Sequence, residues 1–327
     1  MHFKKYKAFS LVEISVVIVI LMIMIAGLMQ SSRIVSSMRI TTARNVTQSS
    51  AMPWINYIVT WYDATAADAF KEGETDDGDK ISRWNGAEVR YSDRINLNQT
   101  NDENKPIYIA NGMYGLPSIR FDGVDDYLGS ENLEQAILTY RSASVFVVFE
   151  PKATSSTEKR SILYQPSDCG REFDLGYGFD GKKGNFGLAS SSTASCGGND
   201  NATTSGIDYV IPNEKIVASI IIYQSPMVKG DISNIKIFRN GYLSSSNLKI
   251  NEGYNSQIIE SSKKYADNSA RLYLGGVKTG DNATPNSFFQ GLLGEMIVFN
   301  RSLNNEDRKE IEKYLGKKWG IKVNYEQ

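Results

Sequence analysis

Hydrophobic positions divide the chain into three stretches of different period. From Phe9 to Met29 the residues are mostly apolar, with one acid, Glu13, near the start. A helix over that run, at ~1.5 Å rise per residue, is roughly 31 Å long, enough for the hydrocarbon core of a bilayer. Gln30 to Ser50 is polar and rich in serine and threonine, with Arg33, Arg39 and Arg44 but no Asp, Glu, Pro or Gly. Ile34 and Met38, then Val46 after a slip, keep a sparse apolar line at helical spacing. The pattern predicts a helix from Phe9 to about Ser50 that stops at Met52-Pro53, because the residue before a proline is driven out of the helical region. A short anchor followed by a loose linker is the other reading of the same serine-rich segment.

From Trp54 onward the period drops towards two. Short runs rich in Val, Ile, Phe and Tyr alternate with Gly, Asn, Asp and Ser clusters, as at 143–150, 215–223 and 294–300. Many short strands with turn signals predict an all-β sandwich. Within 235–243, Asn240-Gly241 suits the positive φ angles of a type I′ hairpin turn. One helix is predicted, near Asn305 to Lys318, with Asn304 as its cap and Ile311, Leu315 and Trp319 on its docking face.

The residues before the first apolar run decide its orientation. Lys4, Lys5 and Lys7 precede it with no acid beside them, which sets the amino terminus in the cytoplasm and sends the rest of the chain across. A cleaved secretory signal has a shorter apolar core and a small-residue cleavage site, and Gly27-Leu28-Met29-Gln30 is a poor one. A plain anchor fits the length but gains nothing from Glu13, since an acid inside a membrane helix costs about 2.5–3.5 kcal/mol on insertion scales. A third reading accounts for the acid.

The segment Lys7-Ala8-Phe9-Ser10-Leu11-Val12-Glu13-Ile14 resembles the type IV prepilin cleavage and methylation motif. The resemblance implies a leader at 1–8, a cut by prepilin peptidase between Ala8 and Phe9, and N-methylation of Phe9. Ala8 stands where the family has glycine. Glu13 becomes the fifth mature residue, placed to pair with the Phe9 amine of a neighbouring subunit during assembly. Moving an unpaired carboxylate from lipid into such a pair is favourable and sets the register between subunits.

Processing changes what chemistry is left. The only histidine among 327 residues is His2, so the leader would take it away together with three lysines, and the formal charge would go from −1 to −4. Without imidazole there is no Ser-His-Asp triad, no Cys-His dyad and no histidine ligand for zinc. A charge near neutral gives no bulk pull on nucleic acid. Hydrophobic residues at 41% and charged residues at 22% leave ample material for a core.

Several stretches of the remainder resemble the concanavalin A-like, laminin-G-type sandwich of bacterial surface proteins. They are Trp61-Tyr62-Asp63-Ala64, Ser82-Arg83-Trp84-Asn85-Gly86, residues 111–128 around Arg120-Phe121-Asp122-Gly123, and residues 291–321. The resemblance implies a jelly-roll sandwich and leaves its ligand open, because such folds host lectins, adhesins, hydrolases and spacers.

The candidate chemistry outside the leader is sparse. Cys169 and Cys196 are the two cysteines; outside the cytoplasm the pair reads as a disulfide, with two separate thiols as the other reading. Some hydrolases of this fold carry E-x-D-x-E on one strand, and the nearest approach is Glu172-Phe173-Asp174, which lacks the second glutamate. No catalytic residue is therefore assigned, and the expectation is that the chain is not an enzyme. No cofactor or metal is assigned either. Two acidic groups, Glu72 to Asp79 and Asp122, Asp125 and Asp126, leave calcium open against a solvated turn, and neither has the D-x-[DN]-x-[DN]-G spacing.

The expected organisation is a leader at 1–8, a membrane-spanning pilin helix at 9–29, a helix extension or stalk at 30–53, and a β-sandwich head at 54–327. The expected function is a minor or tip-proximal type IV pilin-like or pseudopilin subunit with a lectin-like binding head, for adhesion or secretion. Its partners would be other pilin subunits, prepilin peptidase and the inner membrane, with a glycan or protein ligand for the head and no nucleic acid. It would sit in the bacterial inner membrane with its head outside the cytoplasm, then in a pilus, pseudopilus or on the cell surface. The alternative is an anchored carbohydrate-active enzyme on the same fold.

Overall fold

The computed structural model describes residues 10–52, 55–87, 94–131, 142–152, 160–165, 173–178, 185–191, 201–223, 235–244, 246–250, 271–276 and 287–325. Helix α1 (Leu11–Gln48) is a single helix of 38 residues. It is followed by β1 (Ile58–Asp63), β2 (Arg83–Trp84), β3 (Leu97–Asn98), β4 (Ile107–Ile109), β5 (Ser118–Asp122), β6 (Leu128–Ser130), β7 (Ala143–Pro151) and β8 (Arg160–Gln165). Then come β9 (Phe173–Tyr177), β10 (Asn185–Ser191), β11 (Asn201–Tyr209), β12 (Ile216–Ile222), β13 (Ile235–Arg239), β14 (Tyr242–Ser244) and β15 (Ser246–Ile250). The chain closes with β16 (Tyr273–Leu274), β17 (Gln290–Phe299) and α2 (Asn305–Trp319).

The strands form two sheets. One has the order β14-β13-β12-β7-β17-β5-β4, with β1 also paired to β17; the other runs β15-β11-β10-β9-β8-β16-β6-β3-β2. The apolar runs read from sequence become the central strands β7, β12 and β17. Their alternate faces explain why they are apolar throughout. Val145, Val147 and Phe149 of β7 face the second sheet, in a core with Ile220 and Met296. Phe146 and Val148 face the other way, in a core with Val217, Ile297, Leu315 and Trp319. A sheet buried on both faces needs continuous rather than alternating hydrophobicity. β17 changes register between Leu293 and Glu295. Gly294 sits at that step because a Cβ there would come within 2.6 Å of both Met113 Cε and the Trp319 ring.

The β13–β14 hairpin closes as the sequence predicts: Arg239 pairs with Tyr242, and Asn240 and Gly241 have φ of 48° and 87°. Asn304 caps α2 by accepting from the Asp307 N–H at 2.8 Å. Two antiparallel sheets with a helix at each end are the architecture shown; the narrower expectation of a concanavalin A-like jelly roll goes beyond it.

Beyond the β-sandwich pattern lies a third, helical layer. Ala43 and Met52 are buried, and they join α2 and the outer face of the first sheet in one core. Arg39 packs against Gly115, and Arg44 Nε donates to the Thr65 carbonyl at 2.6 Å. These contacts cross the boundary at 53/54 drawn from sequence.

Candidate functional site

The start of α1 carries the first candidate. Ser10 is its N-cap: Ser10 Oγ accepts from the Val12 N–H at 3.3 Å, and the Ser10 N–H donates to Glu13 Oε2 at 2.8 Å. This is a capping box, two otherwise unsatisfied helix-end donors held by two side chains. Glu13, expected from sequence to meet a neighbour's amine, is thus engaged within its own helix in the single chain. Its Oε2 lies on the backbone nitrogen next to Phe9. Ala8 and Phe9 themselves lie outside the described residues.

From Leu11 to Ile25 the large side chains of α1 are all exposed, Val19 at 55% and Ile23 at 67%. Among the described residues no helix is long and apolar enough to cross a membrane. The side chains described there end at Ala26, and 16 residues from Leu11 reach about 24 Å, short of the ~30 Å core. The expected span at 9–29 therefore reaches beyond what is shown.

At the other end of α1 a polar cluster is buried between β1, β17 and α2. Glu295 is fully buried and accepts four hydrogen bonds: Trp61 Nε1 at 2.8 Å, Tyr314 hydroxyl at 2.6 Å, Trp319 Nε1 at 2.8 Å and Lys318 Nζ at 2.8 Å. Lys318 Nζ also donates to Asp63 Oδ2 at 2.6 Å and to the Tyr314 hydroxyl at 3.2 Å, so each ammonium proton has an acceptor. Asp63 Oδ1 accepts from the Thr65 N–H and hydroxyl. Helix α1 enters through Thr47, whose hydroxyl lies 3.1 Å from that of Tyr314. Burial pushes the Glu295 carboxyl above its ordinary value against the pull of Lys318. Burial lowers the Lys318 ammonium, but Asp63 and Glu295 outweigh it and leave it raised. A cluster this fully paired is sustainable in a low-dielectric core, and loses its balance if one member is removed. Sequence reading missed these residues. The cue was an acid inside the otherwise apolar run 291–299, which burial permits only with partners.

The two acidic groups differ in how their carboxylates are engaged. In the first, Glu74 Oε2 accepts from the Ser82 N–H at 3.0 Å, Asp77 Oδ1 from Ala110 N–H at 2.8 Å, and Asp79 Oδ2 from Asp76 N–H at 2.7 Å. Those carboxylates shape their own turn and tie it to Ser82 and to Ala110 after β4. In the second, carboxylate oxygens of Asp122, Asp125 and Asp126 lie within 4.8 Å of one another. Asp126 is buried, and its burial and the Asp122 charge push its carboxyl up to about 7. The same causes raise Asp125. Three hard oxygen donors suit calcium, which takes 6–8, yet Asp126 Oδ2 is already bonded to the Asp122 N–H at 2.9 Å and Asp122 Oδ1 to the Val124 N–H at 2.8 Å.

The remaining sequence candidates are scattered. Cys169, Cys196 and Glu172 lie outside the described residues. Asp174 is fully buried on β9, cross-strand from Tyr164.

Residues 3–29 match the family described as the prokaryotic N-terminal methylation motif. No curated protein matches the chain. Among solved structures, it is similar to Trypanosoma rangeli sialidase in complex with sialic acid, at 10% identity and a TM-score of 0.46, over 80% of this chain and 33% of that one. The binding domain of Paraclostridial Mosquitocidal Protein 1 is similar at 13% identity and a TM-score of 0.46, over 79% of this chain and 52% of that one. The heptameric SAP-like pentraxin from Limulus polyphemus matches at 13% identity and a TM-score of 0.37, over 58% and 78%. The chain spans about a third of the length of the sialidases it matches.

These matches correct the expectation that the chain is not an enzyme, because solved structures like its head include sialidases. The physical reason is that glycoside hydrolysis runs on carboxylates, in some families with a tyrosine nucleophile, so the loss of histidine excludes nothing there. At TM-scores of 0.44 to 0.47 the likeness transfers no activity to this chain.

Proposed function

We propose that this chain is a type IV pilin-like subunit that assembles through α1 and displays the β-rich head. In this reading prepilin peptidase removes residues 1–8, the new amine on Phe9 is methylated, and Glu13 pairs with that amine on a neighbouring subunit. The chain sits first in the bacterial inner membrane through residues 9–29, with its head outside the cytoplasm, and then in a pilus or pseudopilus. The large head favours a minor or tip-proximal place.

The observation that carries the reading is the match at residues 3–29, which ends on a helix continuing without a break to Gln48. The capping box supplies a physical route to assembly. Glu13 holds a neutral N–H in the single chain, and exchanging it for a charged amine replaces an ordinary hydrogen bond by a charge-assisted one. The test is intact-mass measurement of protein from cells with active prepilin peptidase. A mature chain starting at Phe9 with one added methyl group is expected; retention of Met1 overturns the reading. Glu13→Gln is expected to lower incorporation into sheared filaments while leaving the near-ultraviolet circular dichroism of the head unchanged.

A further inference from the structure

The second sheet has one face in the inter-sheet core, and the opposite face carries a row of residues across six strands, accessible at one end. Cross-strand register places Arg83, Asn98, Gly129, Tyr273, Tyr164 and Asp174 directly opposite one another in that order. Residues directly opposite in an antiparallel sheet share a face, and their chain neighbours point the other way. Those neighbours are Trp84, Leu97, Leu128, Leu274, Leu163 and Leu175, all fully buried in the inter-sheet core. The row is therefore the outward one. Arg83 is exposed, and Asn98, Gly129 and Tyr273 are half-buried, while Tyr164 and the fully buried Asp174 lie at the covered inner end.

Tyr127, two residues before Gly129 and on the same face, adds a third ring. Its centroid is 6.2 Å from that of Tyr273, which is 6.3 Å from that of Tyr164. Gly129 leaves bare backbone beneath: a Cβ there would meet Tyr273 Cε1 at 3.0 Å, so that ring lies over the strand. The accessible part is a strip formed by the half-buried Tyr127 and Tyr273 rings, backed by buried Tyr164 and edged by an amide and a guanidinium, with no aliphatic side chain in the row and the Asp174 carboxylate buried beyond it.

We infer that this strip is a binding site for a neutral glycan. The axial C–H face of a pyranose carries partial positive charge that complements the negative face of an aromatic ring, and hydroxyls need nearby amide and phenol partners. An apolar peptide would lack an aliphatic pocket here. A polyanion would meet the carboxylate group Asp122, Asp125 and Asp126, which ends at the residue before Tyr127. The inference deepens the reading of the head as the displayed part, but it does not need α1 to assemble.

The test uses the full chain in a sugar-free detergent on an immobilised panel of gluco-, manno-, galacto- and chito-oligosaccharides, with sialylated and uronate oligosaccharides beside them. Retention on at least one neutral member is expected, weakened at least tenfold by Tyr273→Ala and by Tyr127→Ala. Tyr273→Phe keeps the ring and is expected to bind within threefold of the parent chain, and Tyr242→Ala, on β14 of the other sheet, to bind unchanged. An unaltered melting temperature separates a lost site from a lost fold. No retention on any neutral member, retention on acidic members alone, or unchanged binding in both alanine variants overturns the inference. Intact mass read on the same samples keeps the two readings apart: glycan retention by a chain still bearing Met1 sinks the pilin reading and leaves this site standing.

Discussion

Replacing Glu295 by glutamine is the sharpest probe of how α1 and the head are joined. The change keeps volume and removes one charge. Glutamine presents one oxygen and one NH2 where the carboxylate presented two acceptors, and three of its four partners, Trp61 Nε1, Trp319 Nε1 and Lys318 Nζ, can only donate. The NH2 must face a donor in either orientation. Lys318 keeps Asp63, but the cluster loses half of the negative charge that holds a fully buried ammonium. Breaking a buried pair by removing one partner costs about 3–5 kcal/mol. For a chain of this size, at about 2 °C per kcal/mol, the melting temperature should fall by roughly 6–10 °C. Unfolding of the full chain in detergent, followed by tryptophan fluorescence, reads the cluster directly because Trp61 and Trp319 are both members. Lys318→Met should cost at least as much, because it leaves Asp63 and Glu295 buried without their shared cation, and the double variant less than the sum of the two, since the sites share one network. Glu310→Gln on the exposed side of α2, where the pair with Lys313 spans 3.8 Å, should change stability by no more than about 0.5 kcal/mol. A fall of less than about 2 °C for Glu295→Gln would mean that the carboxylate is not held as described.

A head fragment beginning at Trp54 lacks Ala43, Arg44, Thr47 and Met52, and should melt at least about 5 °C below one beginning at Ser36; equal melting would restore the boundary at 53/54. Asp126 releases its proton near 3.9 when unfolded and only at about 7 when folded, so its contribution is fully present below about 4 and is lost as pH rises to about 7. Asp126→Asn should remove that slope, so that its melting temperature relative to the parent chain rises between pH 4 and pH 8; a parallel pair of curves refutes the assignment. Cys169 and Cys196 should be linked in exported protein, and two thiols alkylated under non-reducing, denaturing conditions would show otherwise.

Much of the local structure was legible because it rests on local causes. Asn240-Gly241 announces its turn through the backbone conformations those residues tolerate, and Asn304 announces a helix start through its own side-chain acceptor. The apolar runs of β7, β12 and β17 mark central strands because alternation disappears only when both faces are covered. Glu13 was singled out as an acid in an apolar run, placed to meet a neighbour's amine; its place in the fold is a different one, on the Ser10 N–H of its own helix.

By itself, then, the sequence determined where the chain changes period, which segments become the two helices, the central strands and the β13–β14 hairpin, and which residues form the amino-terminal motif, all of which depend on neighbours within a few positions. The tertiary structure alone decided the rest. Asp63, Glu295 and Lys318 become one cluster only when β1, β17 and α2 converge, and no spacing along the chain encodes that meeting. The same holds for the strip of Tyr127, Tyr273 and Tyr164, brought together by strand register from distant positions. Ala43 and Met52, within the segment expected as a helix extension or stalk, are buried in a core with α2 and the first sheet, because burial is a property of what arrives from elsewhere in the chain, and a local pattern records only the surface that each segment can offer.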